Sequence, residues 1–309
     1  MNIPAPVSRR SFFNVLAGGI SAAAARAAVK PGSRDKPSIS CQESPWVRDT
    51  RLRGQPYNLD AAAAGAAAAG LQYFEPIVRS LAQVSETGEI LARHGLAMRS
   101  LYVEVTLHDP AEAAESAQQA LAMAEAAKRF GAKIILTRPR SIPSPREVPK
   151  TDEQLSFQGA QLDRLGAEMR VRGLLLAWPN HDVEILHSAR EFHHMMTATD
   201  PKNVTLCLDT HWVYRGSGNS QLVLFDLISL HGARISVLHL RQSKNGVWTE
   251  SVQDGDIDHR RLRDRLRELG RRPLHLVIDQ ATEKGTPSTM SIIEAHRQGR
   301  EYLEKLFAD

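Results

Sequence analysis

The sequence has only two cysteines in 309 residues, Cys41 and Cys207, which are too few for a disulfide framework. Both lie in apolar, strand-like runs, so we expect buried free thiols rather than a bridge. Aromatic residues are sparse, and no apolar run reaches the roughly 20 residues that a membrane-spanning helix needs. We therefore expect neither a small disulfide-stapled fold nor a membrane anchor.

The chain also lacks a large excess of charge of one sign. Its formal charge is +4, but Arg9, Arg10 and Arg26 lie in a segment that we expect to be removed. The remaining chain is then close to neutral, so it lacks the basic surface that holds nucleic-acid phosphates. We expect no nucleic-acid partner.

The N-terminal segment has the three parts of an export signal. A twin-arginine motif at Arg9 and Arg10 precedes a mild apolar run over residues 14–25 and a stretch of small residues. This pattern predicts a twin-arginine signal peptide over residues 1–28, followed by a linker over 29–36. The mature protein would then be periplasmic or otherwise extracytoplasmic, and an incidental basic N-terminus is the alternative.

From residue 37 onward, short apolar runs alternate with longer segments of helical periodicity. The short runs are rich in Val, Ile and Leu, as is typical of strands buried on both faces of a parallel sheet. The predicted strands are Ser38–Gln42, Leu71–Phe74, Ser100–Val105, Lys133–Thr137, Leu174–Trp178, Val204–Leu208, Ile235–Leu240 and Leu274–Ile278. The predicted helices are Asp60–Ala69, Glu86–His94, Pro110–Phe130, Thr151–Arg172, Glu184–Thr197, Ser220–His231, His259–Leu269 and Met290–Phe307. Eight strand–helix units predict a single α/β domain over residues 37–309, a (β/α)8 TIM barrel.

A proline-rich stretch over residues 139–149 follows the predicted strand at 133–137. Loops after the strands of such a barrel lie on its catalytic face. This loop therefore either covers part of the site or is a plain surface excursion.

Charged side chains and imidazoles recur where the predicted strands end, which is where a barrel of this kind carries its chemistry. They are Glu75, Glu104, His108, Arg138, Arg140, His181, Asp182, Glu184, Asp209, His211, His239, Arg241 and Asp279. A mixed set of oxygen and nitrogen ligands suits Mn²⁺, Zn²⁺, Co²⁺ or Mg²⁺ better than a soft thiolate metal. We therefore predict one divalent metal site at the C-terminal mouth of the barrel.

Four motifs carry a family resemblance. They are Gly70-Leu71-Gln72-Tyr73-Phe74-Glu75, then Leu208-Asp209-Thr210-His211-Trp212-Val213 before Gly216, then Arg234-Ile235-Ser236-Val237-Leu238-His239-Leu240, and finally Asp254-Gly255-Asp256-Ile257-Asp258. Over roughly residues 37–307 the chain resembles the sugar phosphate isomerase/epimerase family, the xylose isomerase-like TIM barrels, and specifically its twin-arginine-exported branch. The resemblance implies the barrel fold, a divalent metal ion and a small-molecule sugar substrate.

The resemblance also implies a set of metal ligands from the later strands. Asp209 and His239 match the family's motifs directly. Asp279 stands where the family has a glutamate, so the carboxylate here is one carbon shorter.

Two further positions depart from the family pattern. The family often has a histidine where this chain has Pro179, which cannot ligate through its side chain. Either His181 or Glu184 takes over, or the site has three protein ligands and a water. We expect His181 as the fourth ligand. Gln242 replaces the aspartate of the family's seventh-strand motif.

The resemblance implies proton transfer beside a metal-polarised carbonyl, which related enzymes perform with two carboxylates. Because one carboxylate is missing and the other is shortened, we expect a single catalytic acid/base, either Asp279 or His181. Such a site suits an isomerase, epimerase, lyase or hydrolase acting on a sugar or keto-sugar.

Aromatic and charged residues near the predicted mouth suit a polyol ligand. An indole face can stack on the C–H face of a sugar, and Trp178 and Trp212 follow neighbouring strands. We expect Glu75, Trp178, Trp212 and Arg241 to bind substrate, although for Trp178 the alternative of barrel packing is slightly favoured.

Two other functions fit parts of the sequence. An abasic-site endonuclease shares this type of barrel, but it needs about nine ligands for three metal ions, and the segment from Asp256 to His259 does not supply them. A barrel that has lost part of its metal site and only binds sugar is the stronger alternative, since Pro179, Gln242 and Asp279 all depart from the family pattern.

Overall fold

A computed structural model describes residues 37–140, 142, 148–271 and 275–308. The predicted signal peptide and linker lie outside the described residues, as do residues 141 and 143–147 of the proline-rich loop. The predictions about those segments therefore stay predictions.

The described residues form eleven strands, most of them parallel neighbours in one sheet. They are β1 (Ser38–Gln42), β2 (Tyr73–Glu75), β3 (Ile77–Val78), β4 (Ser100–Val105), β5 (Ile134–Pro139), β6 (Leu175–Pro179), β7 (Val204–Asp209), β8 (Ile235–Leu240), β9 (Ser243–Lys244), β10 (Val247–Trp248) and β11 (His275–Ile278). Nine of them pair in the order β2-β1-β11-β8-β7-β6-β5-β4-β3, while β9 and β10 form a separate hairpin.

The sheet closes almost completely into a barrel. The strands at its two ends, β2 and β3, are consecutive in the chain and separated only by Pro76, which has no N–H to donate. The N–H of Tyr102 donates to the carbonyl of Pro76 at 2.8 Å, and the N–H of Phe74 donates to Ala97 at 3.1 Å. One interrupted strand thus completes the ring and gives eight strand positions.

Ten α-helices occur among the described residues. They are α1 (Glu43–Leu52), α2 (Leu59–Ala68), α3 (Leu81–Arg93), α4 (Ala113–Ala127), α5 (Asp152–Val171), α6 (Asp182–Ala198), α7 (Thr210–Gly216), α8 (Gln221–His231), α9 (His259–Glu268) and α10 (Ile292–Phe307). The main apolar cluster combines outward-facing strand residues with buried helix residues, as expected for a barrel wrapped by helices.

The predicted TIM barrel is confirmed. All eight predicted strands and all eight predicted helices are present, most with ends shifted by one or two residues. Helix α3 begins at Leu81 rather than Glu86 because the Ser80 side chain accepts a hydrogen bond from the N–H of Gln83 at 3.2 Å and caps the earlier start. The short helices α1 and α7 and the β9–β10 hairpin were not predicted.

The alanine-rich helix α2 packs closely because it has so little side-chain volume. Ala62, Ala63 and Ala66 are buried, and a Cβ added at Gly65 would lie 2.7 Å from the Trp46 ring. Small residues therefore make room for the indole of Trp46 on α1.

The barrel interior contains a buried polar chain beside its apolar side chains, where most barrels of this class have branched apolar layers. Ser100 donates to the Glu75 carboxylate at 2.6 Å, and its Oγ lies 3.0 Å from Nε2 of His275. His275 also contacts two serines of β1: Oγ of Ser38 lies 2.9 Å from its Nδ1, and Oγ of Ser40 lies 3.2 Å from its Nε2. The network supports Glu75 from below.

Both cysteines are buried and free, as predicted. No helix within the described ranges combines the length and apolar character needed to cross a membrane.

Candidate functional site

A cavity of about 230 Å³ lies at the end of the barrel where the strands terminate. Strand carboxyl ends are the part of a TIM barrel that carries its active site. The cavity is lined by Gln42, Ser44, Ile77, Arg79, Tyr102, Glu104, Arg138, Pro179, Asn180, His181, Asp209, His239, Arg241 and Asp279. The structure therefore brings together five of the eight residues to which a ligand, catalytic or substrate-binding role was assigned: Asp209, His239, Asp279, Arg241 and His181.

Asp209 is held in a fixed orientation at the junction of β7 and α7. Its Oδ1 accepts hydrogen bonds from the backbone N–H groups of His211 and Trp212 at 3.1 Å and 3.0 Å, which caps α7. The Asn180 side chain bonds both backbone groups of Asp209, at 3.0 Å and 3.1 Å. This arrangement leaves Oδ2 of Asp209 as the oxygen directed toward the other charged groups.

Arg241 bridges the two aspartates of the site. Its Nε donates to Oδ2 of Asp209 at 3.2 Å, and its Nη2 is ion-paired with Oδ2 of Asp279. Arg241 is only 7% exposed, and its guanidinium lies over the rings of Trp212 at 4.9 Å and Trp248 at 5.4 Å. Although burial opposes its charge, the two carboxylates raise the pKa of Arg241, so it is a permanent cation.

His239 lies between two carboxylates. Its Nε2 is 2.9 Å from Oε1 of Glu75, and its Nδ1 is 3.4 Å from Oδ2 of Asp279. Burial by itself would lower the pKa of His239, but its interactions with Cys207, Glu75 and Asp279 outweigh burial and raise the pKa well above its ordinary value. The imidazole is therefore positioned from both sides.

The residues of the site fit a divalent metal ion. Asp209, His239 and Asp279 each offer one ligand atom, and these atoms lie within 4.8 Å of one another. Oδ1 of Asp279 is buried and has no hydrogen-bond partner among the described residues. Metal-binding histidines commonly have a carboxylate near the nitrogen that does not ligate, and Oε1 of Glu75 lies 2.9 Å from Nε2 of His239. The donor set suits the metals predicted from the sequence.

Glu75 does not line the cavity, although we expected it to bind substrate. It is fully buried in the barrel interior, between Ser100 and His239. Its position makes it a support for His239, beneath the cavity floor.

His181 lines the cavity but does not belong to the group of three ligand-type residues. Its Nε2 is 3.4 Å from the hydroxyl of Tyr102, and its Nδ1 is 3.7 Å from Oε2 of Glu184. Burial, together with the charges of Arg138, Arg241 and His239, lowers the pKa of His181 well below its ordinary value. His181 is thus a neutral imidazole in the cavity wall rather than part of the ligand cluster.

Glu184 stands directly behind His181 at the start of α6. Its Oε2 accepts a hydrogen bond from the backbone N–H of His181 at 2.6 Å. Burial, with the nearby carboxylate of Glu191, raises the pKa of Glu184 to about 7. The pair therefore places a carboxyl group that titrates near neutral pH next to a neutral imidazole.

Neither of the two expected tryptophans lines the cavity, but Trp212 packs against two residues that do. Its ring is 6.5 Å from the ring of His181 and is covered by Arg241. Trp178 is fully buried and packs on Phe192 of α6, with ring centroids 5.6 Å apart. The structure therefore does not bring Trp178 to the cavity, because its side chain points outward from the strand into the helix layer.

Gln242, which replaces the family's aspartate, organises a loop and does not face the cavity. Its side-chain amide donates to the carbonyls of Gln253 and Ile257 at 3.1 Å and 2.9 Å. Its Oε1 accepts from the N–H groups of Ser243 and Ile257 at 3.0 Å and 3.1 Å. Gly255 lies so close that an added Cβ would be 2.6 Å from the Gln242 side chain.

Trp248 was not predicted as a site residue. It lies on β10 of the β9–β10 hairpin, and its ring packs against the guanidinium of Arg241. The signal for this hairpin is present, since Asn245 and Gly246 both have positive φ, the conformation of a two-residue hairpin turn. The interpretation also missed Asn180 and Tyr102, because what each contacts depends on strand register.

Comparison with known proteins gives the following similarities. A family model described as xylose isomerase-like TIM barrel matches residues 61–306. A sugar phosphate isomerase/epimerase from Parabacteroides distasonis has a similar fold, with a TM-score of 0.66 and 13% identity over 88% of this chain and 95% of that one. The D-allulose 3-epimerase from Methylomonas sp. in complex with D-allulose gives a TM-score of 0.65 at 16% identity, over 87% of this chain and 97% of that one.

A third similar structure was determined with magnesium. It is a xylose isomerase-like TIM barrel protein from Mycobacterium smegmatis, with a TM-score of 0.59 and 16% identity, covering 82% of this chain and 92% of that one. No match was found among curated protein sequences.

Proposed function

The chain belongs to the xylose isomerase-like TIM barrel family, and on that basis we propose that it is a metal-dependent isomerase or epimerase acting on a sugar or keto-sugar. The observation that carries the proposal is the meeting of Asp209, His239, Asp279 and Arg241 in one cavity at the barrel mouth. Two structures of similar fold, an L-ribulose 3-epimerase and the D-allulose 3-epimerase bound to D-allulose, support a sugar as the substrate class.

The metal site of the proposal consists of Asp209, His239 and Asp279, with Glu75 holding His239 from behind. A bound divalent ion would polarise a substrate carbonyl and so acidify the neighbouring C–H group. Because these ligands lie at the end of β7, within β8 and directly after β11, the barrel fixes their separations.

We assign the proton transfer to groups on two sides of the cavity. Asp279 follows β11 and His181 follows β6. In the sheet order, β8 and β7 lie between β11 and β6, so the two side chains come from separate parts of the cavity wall. Nδ1 of His181 lies 3.7 Å from Oε2 of Glu184, so this carboxylate can stabilise the imidazolium that forms when His181 accepts a proton. Asp279 is the carboxylate on the other side, and Arg241 and Trp212 are substrate-binding groups.

A sugar-binding barrel without catalysis is the second candidate. It is favoured by one observation, that Arg241 already neutralises both Asp209 and Asp279. An abasic-site endonuclease receives no such support, because only a single group of three ligand-type residues was found in the described part of the chain.

The two candidates are separated by a turnover screen. Purified protein with added Mn²⁺ would be incubated with keto-sugars such as D-fructose, D-tagatose and D-allulose, and the products separated by chromatography. We expect conversion of at least one sugar to its isomer or epimer, and loss of conversion in Asp209→Asn. Binding of a sugar without conversion of any would contradict the enzyme and favour the binding protein.

We also propose that the protein is exported through the twin-arginine pathway, on the basis of Arg9 and Arg10. The test replaces both by lysine in the full chain and measures the extracytoplasmic fraction. We expect the double variant to stay in the cytoplasm. An unchanged distribution would contradict this proposal without affecting the barrel or its site.

A further inference from the structure

Oδ2 of Asp209 and Oδ2 of Asp279, two of the oxygen atoms that could bind a metal ion, already have partners in the structure. Oδ1 of Asp209 is used by two backbone N–H groups at the start of α7, so a metal ion has only Oδ2 of this residue to bind. Arg241 holds that same atom through Nε at 3.2 Å. Oδ2 of Asp279 is shared between Arg241 and His239.

The guanidinium therefore pairs with Oδ2 of both aspartates, including the one oxygen of Asp209 that its backbone contacts leave available, while Oδ1 of Asp279 has no hydrogen-bond partner among the described residues. Its positive charge partly balances the negative charges of Asp209 and Asp279, and the three side chains form a buried ion cluster. Such a cluster is stable only while its charges are paired, since an unpaired buried carboxylate is strongly destabilising. An ion that enters must take over the charge compensation that Arg241 provides.

We infer that Arg241 and a divalent metal ion are alternative occupants of the Asp209–Asp279 pair, so that metal binding requires Arg241 to leave Oδ2 of Asp209. This inference rests on the metal site of the proposed function and concerns its regulation. Arg241 lowers the affinity of the resting site for metal, and binding of the ion releases a guanidinium at the cavity wall.

The surroundings of Arg241 allow this exchange. Its guanidinium is held on the outer side by the faces of Trp212 and Trp248, which attract a cation without fixing it as a carboxylate does. The released side chain keeps these aromatic contacts and becomes available to oxygen atoms of a bound substrate.

The first test measures metal affinity without any turnover. The dissociation constants of Mn²⁺ and Zn²⁺ would be compared by chelator competition for the wild type and Arg241→Ala. We expect Arg241→Ala to bind each ion at least about tenfold more tightly, which corresponds to about 1.4 kcal/mol. Adding Asp209→Asn to this variant should remove the gain.

Arg138→Ala is the matched control. Arg138 lines the same cavity but lies 4.0 Å from Glu184 and pairs with neither aspartate. Its removal lowers the positive charge of the cavity equally, so an equal gain in both variants would show a general electrostatic effect and overturn the inference. Equal or weaker binding in Arg241→Ala alone would also overturn it.

A second measurement covers the case in which Arg241→Ala does not fold. In ¹⁵N-labelled wild type, the Nε–H resonance of Arg241 reports its hydrogen bond to Asp209. We expect this resonance to shift on saturation with diamagnetic Zn²⁺, and an unchanged resonance in the zinc-loaded protein would contradict the exchange. Because neither readout uses turnover, an inactive protein with these metal properties would contradict only the proposed reaction.

Discussion

At the scale of single residues, the direction of a side chain determines whether it belongs to the candidate site or to the packed core of the barrel. Trp178 and Trp212 were both expected at the ends of adjacent strands, yet Trp178 packs into the helix layer and Trp212 contacts Arg241. The difference arises because Trp178 lies within β6 and faces the helix layer, whereas Trp212 lies on α7, beyond the end of β7. Sequence alone places both near the mouth and does not tell which side each one faces.

These two tryptophans give a matched pair of variants. We expect Trp212→Ala to lower kcat/KM by at least about tenfold, because Arg241 loses an aromatic contact. Trp178→Phe should lower the free energy of unfolding by about 1–3 kcal/mol and leave kcat/KM within about twofold, since only buried packing changes. Steady-state kinetics and urea unfolding measure both effects. A large loss of kcat/KM in Trp178→Phe but not in Trp212→Ala would show that Trp178, and not Trp212, belongs to the site.

The strands and helices themselves were largely predictable, whereas the elements that complete the site were not. Apolar runs of Val, Ile and Leu indicate buried parallel strands, so all eight strands were found. Helices α1 and α7 begin directly at the ends of β1 and β7, with no loop between, and their starts depend on caps by Gln42 and Asp209. A residue that is both a cap and a candidate ligand has no distinct sequence pattern.

Candidate ligands were similarly predictable only in part. Asp209, His239 and Asp279 were identified from strand ends and family resemblance, and the structure groups them. The pairing of Arg241 with both aspartates and the distance of His181 from the cluster depend on side-chain directions, which the sequence does not encode locally.

The loop that carries the β9–β10 hairpin depends on Gln242. Its side chain makes four hydrogen bonds to the backbone of residues 243–257. We expect Gln242→Ala to destabilise the protein by roughly 2–3 kcal/mol and to speed amide hydrogen exchange in this loop.

Gln253→Ala is the control for that variant, because Gln253 is exposed and contributes its backbone carbonyl. Its exchange rates should match the wild type. If both variants exchange alike, the side chain of Gln242 does not hold the loop.

At the scale of the whole molecule, stability should depend steeply on acid pH. Burial lowers the pKa of His275 to about 3, and it lowers those of His259 and His296 to about 4. An unfolded histidine titrates near its ordinary value of about 6.5, so the unfolded state binds these protons first. The folded state therefore loses stability as the pH falls below about 6.5.

One histidine tests this account of acid sensitivity. Each buried neutral histidine contributes a slope of about 1.4 kcal/mol per pH unit between its folded and unfolded pKa values. We expect His275→Asn to reduce the slope of unfolding free energy against pH, between pH 6 and 4, by about that amount. Urea unfolding at several pH values measures it, and an unchanged slope would show that His275 is not buried in its neutral form.

The central claim is that the cavity at the barrel mouth transfers a proton beside the carbonyl of a sugar. The most direct measurement is deuterium exchange from D₂O into the C–H group next to the carbonyl of the keto-sugar that the screen identifies, followed by NMR. We predict exchange in the wild type, a rate lower by at least about 100-fold in Asp279→Asn, and an unchanged rate in Trp178→Phe. Equal exchange with and without Asp279, or none in the wild type with any keto-sugar that it binds, would contradict the claim.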